Sequence, residues 1–191
     1  MLKKIYLFIF ILFITTSCSQ KRHVVSLEPK IILPIQKIFS NSTSININII
    51  DNRVKKFLSE INHNGKLLTI NLSRDPTYLM KEVIEKQMIA RGLKIKSPSH
   101  FNVFVQFNKL EAKIYEGTLH HNIIVNSSIN LIITAPNGLI KTRSYTRKFS
   151  TQELLSANNI KIQNAVNNTL TDLISDMAND QEILDFINQN L

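Results

Sequence analysis

From His121 onward the chain sets an apolar side chain at nearly every odd position: Ile123, Val125, Ile129, Leu131 and Ile133. Alternation with a period of two belongs to a strand with one face in a core and the other in water. The stretch before it alternates as well, but changes phase. Phe101, Val103, Val105 and Phe107 are apolar at odd positions, whereas Leu110, Ala112 and Ile114 are apolar at even ones. One extra residue near Asn108-Lys109, a β-bulge, returns both runs to the same face. Whatever else the chain forms must cover that face.

Other stretches supply further strands. Ile45, Ile47 and Ile49 alternate with Asn46 and Asn48, and residues 54–61 are less regular, with Phe57 and Ile61 on one side. Asn64-Gly65 favours a hairpin turn into Leu68, Ile70 and Leu72. Pro136-Asn137-Gly138 turns the long strand back into residues 140–149.

Helices are marked at both ends. Asp75-Pro76 can open one, since aspartate accepts free N–H groups and proline has none to leave unpaired. Leu79, Met80, Val83, Ile84 and Met88 form its apolar stripe, and Gly92 closes it. Ser150 and Glu153 have capping-box spacing and predict a short helical turn through Leu155. Ile162, Val166, Leu170, Leu173 and Met177 predict a longer helix from about Asn159, and Asp180 can cap a last one through Ile187. The expected fold class is α+β: one largely antiparallel sheet of about six strands, in βββ-α-βββ-α order, with helices on one face.

The N-terminus reads as an export signal. Lys3 and Lys4 precede an apolar run, 5–14, then Thr15, Thr16, Ser17 and Cys18, which is the only cysteine. The run spans about 15 Å as a helix, half a bilayer's hydrocarbon core. A lone cysteine at such a junction resembles a bacterial lipoprotein signal, which implies cleavage before Cys18 and acyl chains on it. Thr15 stands where that pattern usually carries Leu, Val or Ile. Ser19, rather than Asp, after the cysteine implies the inner leaflet of the outer membrane, with the domain in the periplasm. The expected organisation is a signal peptide at 1–17, a lipidated N-terminus and tether at 18–44, and a domain at 45–191. Pro29 and Pro34 interrupt the tether, although Val24, Val25, Ile31, Ile32 and Ile35 are apolar enough for part of it to pack on the domain.

The net charge is +9, from 23 Lys+Arg and 14 Asp+Glu, and loss of Lys3 and Lys4 lowers it to +7. Export argues against nucleic acid as the partner. An Ile-, Asn- and Lys-rich composition is the preferred account of the excess; an anionic surface is the other.

Chemistry is scarce. The sequence has no HExxH, Walker loop, GxSxG or CxxC, and four glycines leave little for a phosphate-binding loop. His120 and His121 are neighbours on a strand, so they point to opposite faces and cannot chelate one ion together. Asp172 and Asp176 lie four apart and read as the solvated face of a helix. Neither a metal nor a cofactor is expected. The strand with Lys141, Arg143, Tyr145, Arg147 and Lys148 is the one surface with a plausible task, contact with anionic headgroups or an acidic partner. Its alternative reading is an edge strand protected by its charges.

Several stretches resemble the YajG family of small bacterial lipoproteins. They are Ser73-Arg74-Asp75, Glu82-Val83, Glu85-Lys86-Gln87-Met88 and Ala90-Arg91-Gly92, then Ala165-Val166-Asn167 and Leu170-Thr171-Asp172. Asp176-Met177, Asp180, Phe186-Ile187 and Gln189-Asn190 continue the likeness toward the C-terminus. The resemblance implies a membrane-anchored lipoprotein and carries no reaction. The expected function is a non-enzymatic interaction or assembly module of the cell envelope, with a possible envelope protein as partner. The alternative is a binding protein or hydrolase for a cell-wall or lipid ligand.

Overall fold

The alternating stretches are strands, and the face they share carries the helices. A computed structural model describes residues 24–35, 39, 42–63, 66–116, 120–154 and 158–191. The signal segment, Cys18 and the Asn64-Gly65 turn lie outside the described residues. In chain order come β1 (Val24–Val25), β2 (Ser44–Asp51), β3 (Ser59–His63), β4 (Lys66–Leu72) and helix α1 (Pro76–Ala90). Then follow β5 (Lys94–Ile95), β6 (Phe101–Glu116), β7 (His120–Thr134), β8 (Ile140–Leu154), α2 (Asn159–Ala178) and α3 (Gln181–Gln189).

Strands β6, β7 and β8 form an antiparallel meander. Val103 faces Ile133 and Phe107 faces Ile129; the register then slips between Phe107 and Lys109, so that Leu110 faces Ser127 and Ala112 faces Val125. This is the expected bulge, and on both sides of it the apolar residues are buried.

The α+β class holds, but the strand count and order differ from expectation. The strands make two sheets, one of three in the order β1-β4-β3 and one of five in the order β5-β2-β6-β7-β8. Strand β2 lies parallel to both β5 and β6, with Ile45 opposite Phe101 and Ile47 opposite Val103. After β2 the chain leaves the large sheet, builds the β3–β4 hairpin and α1, and re-enters at the end where β2 began. A return through a helix makes the next strand parallel. Alternation alone reports which face is buried, not which way the neighbour runs. The small sheet joins the large one where Ala112 N donates to Leu58 O at 2.9 Å.

A second correction concerns residues 150–154. They are not a helical turn but the end of β8, paired with β7 as far as Leu154 opposite His120. A complete ladder of hydrogen bonds to β7 outweighs a capping-box spacing worth about 1 kcal/mol.

The helix ends match their sequence signals. The Asp75 carboxylate accepts from Thr77 N at 2.8 Å, Pro76 opens α1, and Gly92 follows with φ of 99°. Leu79, Met80, Val83, Ile84 and Met88 are all buried. Asn158 caps α2, and Asp180 caps α3 by accepting from Ile183 N at 3.2 Å. The helices cover one face of the large sheet and leave the other open. No described helix is long and apolar enough to cross a membrane.

Candidate functional site

The basic strand β8 is an edge strand, as its alternative reading requires. Its odd residues face the helices. Lys141 meets Glu182 at 2.7 Å; Arg143 meets Asp180 at 2.8 Å and Glu182 at 2.7 Å; Arg147 pairs with Asp176. Tyr145 is buried, and its hydroxyl donates to Asp180 at 2.8 Å. Lys148 falls on the other face of the strand and is exposed. Four of the five expected contact residues are therefore turned toward carboxylates of the chain's own C-terminal helices. Arg143 and Tyr145 line an open cleft of about 540 Å³ between β8 and the α2–α3 junction.

Asp180 is the centre of this cleft. Burial alone raises its carboxyl, but hydrogen bonds from Arg143, Tyr145 and Ile183 N outweigh that and hold it below the usual range. Burial, then the hydrogen bond to Asp180, pushes the Tyr145 hydroxyl upward. At neutral pH the tyrosine keeps its proton and the aspartate is ionised, with its oxygens taken up by Arg143, Tyr145 and Ile183 N. The cluster is a latch, fastening β8 to the start of α3.

Arg91 lies behind the latch and is fully buried. Its Nη2 donates to Met177 O at 3.2 Å and Ala178 O at 2.7 Å, the last carbonyls of α2. Those groups have no partners inside the helix, and a cation there also complements the helix dipole. Burial pulls the guanidinium pKa down, and Tyr145 and Asp180 work against that shift.

A second polar constellation holds the segment that precedes the domain proper. Ser26 N donates to Gln163 at 3.0 Å, Glu28 N to Asn167 at 2.9 Å, and Lys30 N to Thr171 at 3.0 Å. The spacing has a simple cause. Two residues of extended chain advance about 6.6 Å and four residues of helix about 6 Å, so every second amide meets every fourth side chain. The other edge of the segment is bonded too. Ser73 N donates to Val25 O at 2.9 Å, and Arg74 Nε donates to Leu27 O at 3.0 Å. Farther along, Gln87 Nε2 bridges Ile32 O and Ile174 O, each at 3.0 Å. Val25 and Leu27 are buried. Residues 26–32 form a strap bound along α2.

The remaining candidates stay apart. His120 is exposed and His121 half-buried on adjacent positions of β7. Among the described residues no group of three or more His, Cys, Asp or Glu side chains is placed to hold a metal. Asp172 is exposed, and Asp176 faces Arg147. Sequence reasoning gave no role to Gln87 or Arg91. The signal was present: both fall on the buried stripe of α1, one and two turns beyond Val83, where a polar residue needs a buried partner.

The strap and the latch draw on the stretches that first suggested a family: Ser73-Arg74, Gln87, Arg91, Asn167, Thr171 and Asp180. A family model described as uncharacterized lipoprotein matches residues 29–188. The chain belongs to this lipoprotein family. It is 33% identical over 190 residues to the uncharacterized lipoprotein YajG of Escherichia coli strain K12, covering 100% of this chain and 99% of that one. The YajG of Escherichia coli O6:H1 matches equally, at 33% over 190 residues. The crystal structure of protein XCC0632 from Xanthomonas campestris shares the fold with a TM-score of 0.57 at 9% identity, over 81% of this chain and 91% of that one. Membership of a lipoprotein family fits attachment to a membrane.

Proposed function

We propose that this YajG-type lipoprotein is acylated on Cys18 and held at the inner leaflet of the outer membrane, where it serves as a non-enzymatic interaction module facing the periplasm. The observation that carries this reading is the strap. Val24, in the strand β1 that leads into the strap, is six positions after Cys18, and six residues extended span at most about 21 Å. A chain clipped so soon after an acylated cysteine keeps its domain against the bilayer instead of trailing it on a long tether.

The strap also gives the domain a polarity. It enters beside Gln163, near the start of α2, and reaches Ile174 near its end. In this reading the start of α2 faces the membrane, and the opposite end, with Leu139 and Ile140 exposed at the β7–β8 turn, faces away. Acyl chains supply the attachment. Each buried methylene contributes about 0.8 kcal/mol, far beyond what +7 of surface charge adds.

The experiment compares wild type with Cys18→Ser under labelled palmitate, followed by membrane fractionation. Wild type takes the label and sediments with the outer membrane, whereas the variant takes none and stays unprocessed or appears soluble. An unlabelled wild type, or a serine variant retained by the outer membrane, defeats the reading.

A further inference from the structure

The face of the large sheet that the helices leave open has an unusual chemistry. Its central row runs Asn48, Phe104, Ile132 and Thr142 across β2, β6, β7 and β8. One row on lie Ile50, Gln106, Asn130 and Ser144; one row back lie Asn46, Asn102, Thr134 and Ile140. None of these side chains is charged, in a chain where 19% of residues are. Charges lie at its borders, with Lys94 on β5 opposite Ser44 and, past the bulge, Lys109, Glu111 and Lys113. The Phe104 ring is 36% exposed, and Ile50 is 39% exposed. Among the described residues the amides of Asn46, Asn48 and Gln106 make no hydrogen bond within the chain.

We propose that this open face binds a neutral oligosaccharide. Each amide offers two donors and an acceptor side by side, which suits the adjacent hydroxyls of a sugar ring. An exposed aromatic ring among them suits the apolar C–H face of such a ring. The lack of charge within these three rows matches a ligand without charge and offers an acidic peptide, a phosphate or a nucleic acid no cation there.

The uncharged patch on its own is smaller than the contact a second copy of the chain needs. Four strands about 4.8 Å apart and three rows two residues apart span roughly 14 by 13 Å. That is about 200 Å², whereas a stable dimer buries about 800 Å² on each partner. A few linked sugar rings fill it. The inference goes beyond the anchoring reading and stands whether or not Cys18 carries lipid.

The test uses the full chain in a polyoxyethylene detergent, which has no sugar headgroup. It is titrated separately with chitotetraose, cellotetraose and maltotetraose while backbone amide shifts are followed. At least one sugar should saturate, with shifts concentrated on β2, β6 and β7, and Phe104→Ala and Asn48→Ala should each weaken it at least tenfold. Shifts elsewhere should stay at their wild-type values, which excludes unfolding as the cause. Should Phe104→Ala disturb the spectrum outside the face, Thr142→Arg replaces it, since it adds a charge to the same row at an exposed position. Absence of saturation by all three sugars up to ~10 mM overturns the proposal, as does binding that none of the variants weakens. Self-association of the chain that Phe104→Ala abolishes also overturns it and assigns the face to a second copy.

Discussion

Arg91, just past the end of α1, donates to Ala178 O at 2.7 Å and so holds the end of α2. Two helices separated by four strands in the sequence are joined at their C-terminal ends by one guanidinium. The same nitrogen, Nη2, reaches Met177 O as well at 3.2 Å, and the shorter lysine side chain does not extend as far. Arg91→Lys is expected to destabilise the domain and Arg91→Ala by more, about 3 kcal/mol, since it strands two buried carbonyls and leaves a cavity. Urea unfolding followed by circular dichroism measures both; an Arg91→Ala midpoint equal to wild type refutes the assignment.

Acid should weaken the fold through the carboxylates of Asp180 and Asp51. Burial alone raises the Asp51 carboxyl, but hydrogen bonds from Arg53 and Lys56 outweigh it and bring it to about 2. Asp180 is lowered for the corresponding reason. Both folded values lie below the unfolded reference of about 3.9, so the unfolded chain takes up protons first. The contribution is complete above about pH 5 and fades as pH drops through 4 toward 2. Melting temperature across that window should fall, and Asp180→Asn should flatten part of the slope while lowering stability at pH 7.

Ile84 is 1% exposed against the sheet. Ile84→Asp buries an unpaired charge and should abolish cooperative melting, whereas Ile84→Ala should cost about 2–4 kcal/mol and leave a folded domain. An aspartate variant that melts like wild type contradicts the packing of α1.

The strap makes a local prediction. Asn167 accepts from Glu28 N and donates to Ser26 O at 3.1 Å. Asn167→Ala removes both bonds and should lower stability by about 1–2 kcal/mol. Hydrogen exchange at the Glu28 amide should accelerate more than at β7, and limited proteolysis should cut within 26–32 before it cuts the sheet. Equal acceleration at both sites indicates global loosening instead.

Much of this molecule is legible in its sequence because its signals are local. The bulge after Phe107, the caps at Asp75 and Asp180 and the stripe of α1 each depend on residues within one turn or one strand. The parallel placement of β2 depends on where the chain returns after α1, and no local pattern encodes that. The basic strand shows the same boundary. Its cations can be read directly, but their acids lie on another element, 37 residues away for Arg143 and 41 for Lys141. A charge reads as free until its distant partner is placed. That part of the tether packs on the domain was legible in Val25, Ile31 and Ile32, but its partners on α2 were not, because Gln163, Asn167 and Thr171 look like the ordinary polar side of a helix.

The strap's partners also stand far along the chain, 137 to 141 residues beyond the amides they bind. The meander of β6, β7 and β8 closes through short turns and can form early, since neighbouring strands lose little entropy in meeting. Residues 26–32 can meet Ser73, Arg74 and Gln87 earlier, but lack their helix-side partners until α2 exists. The part of the chain synthesised first is therefore fully fixed only late, and a protein stalled or truncated before residue 163 lacks the strap's bonds to Gln163, Asn167 and Thr171. Completion of α2 is the event that draws the domain in toward its own beginning.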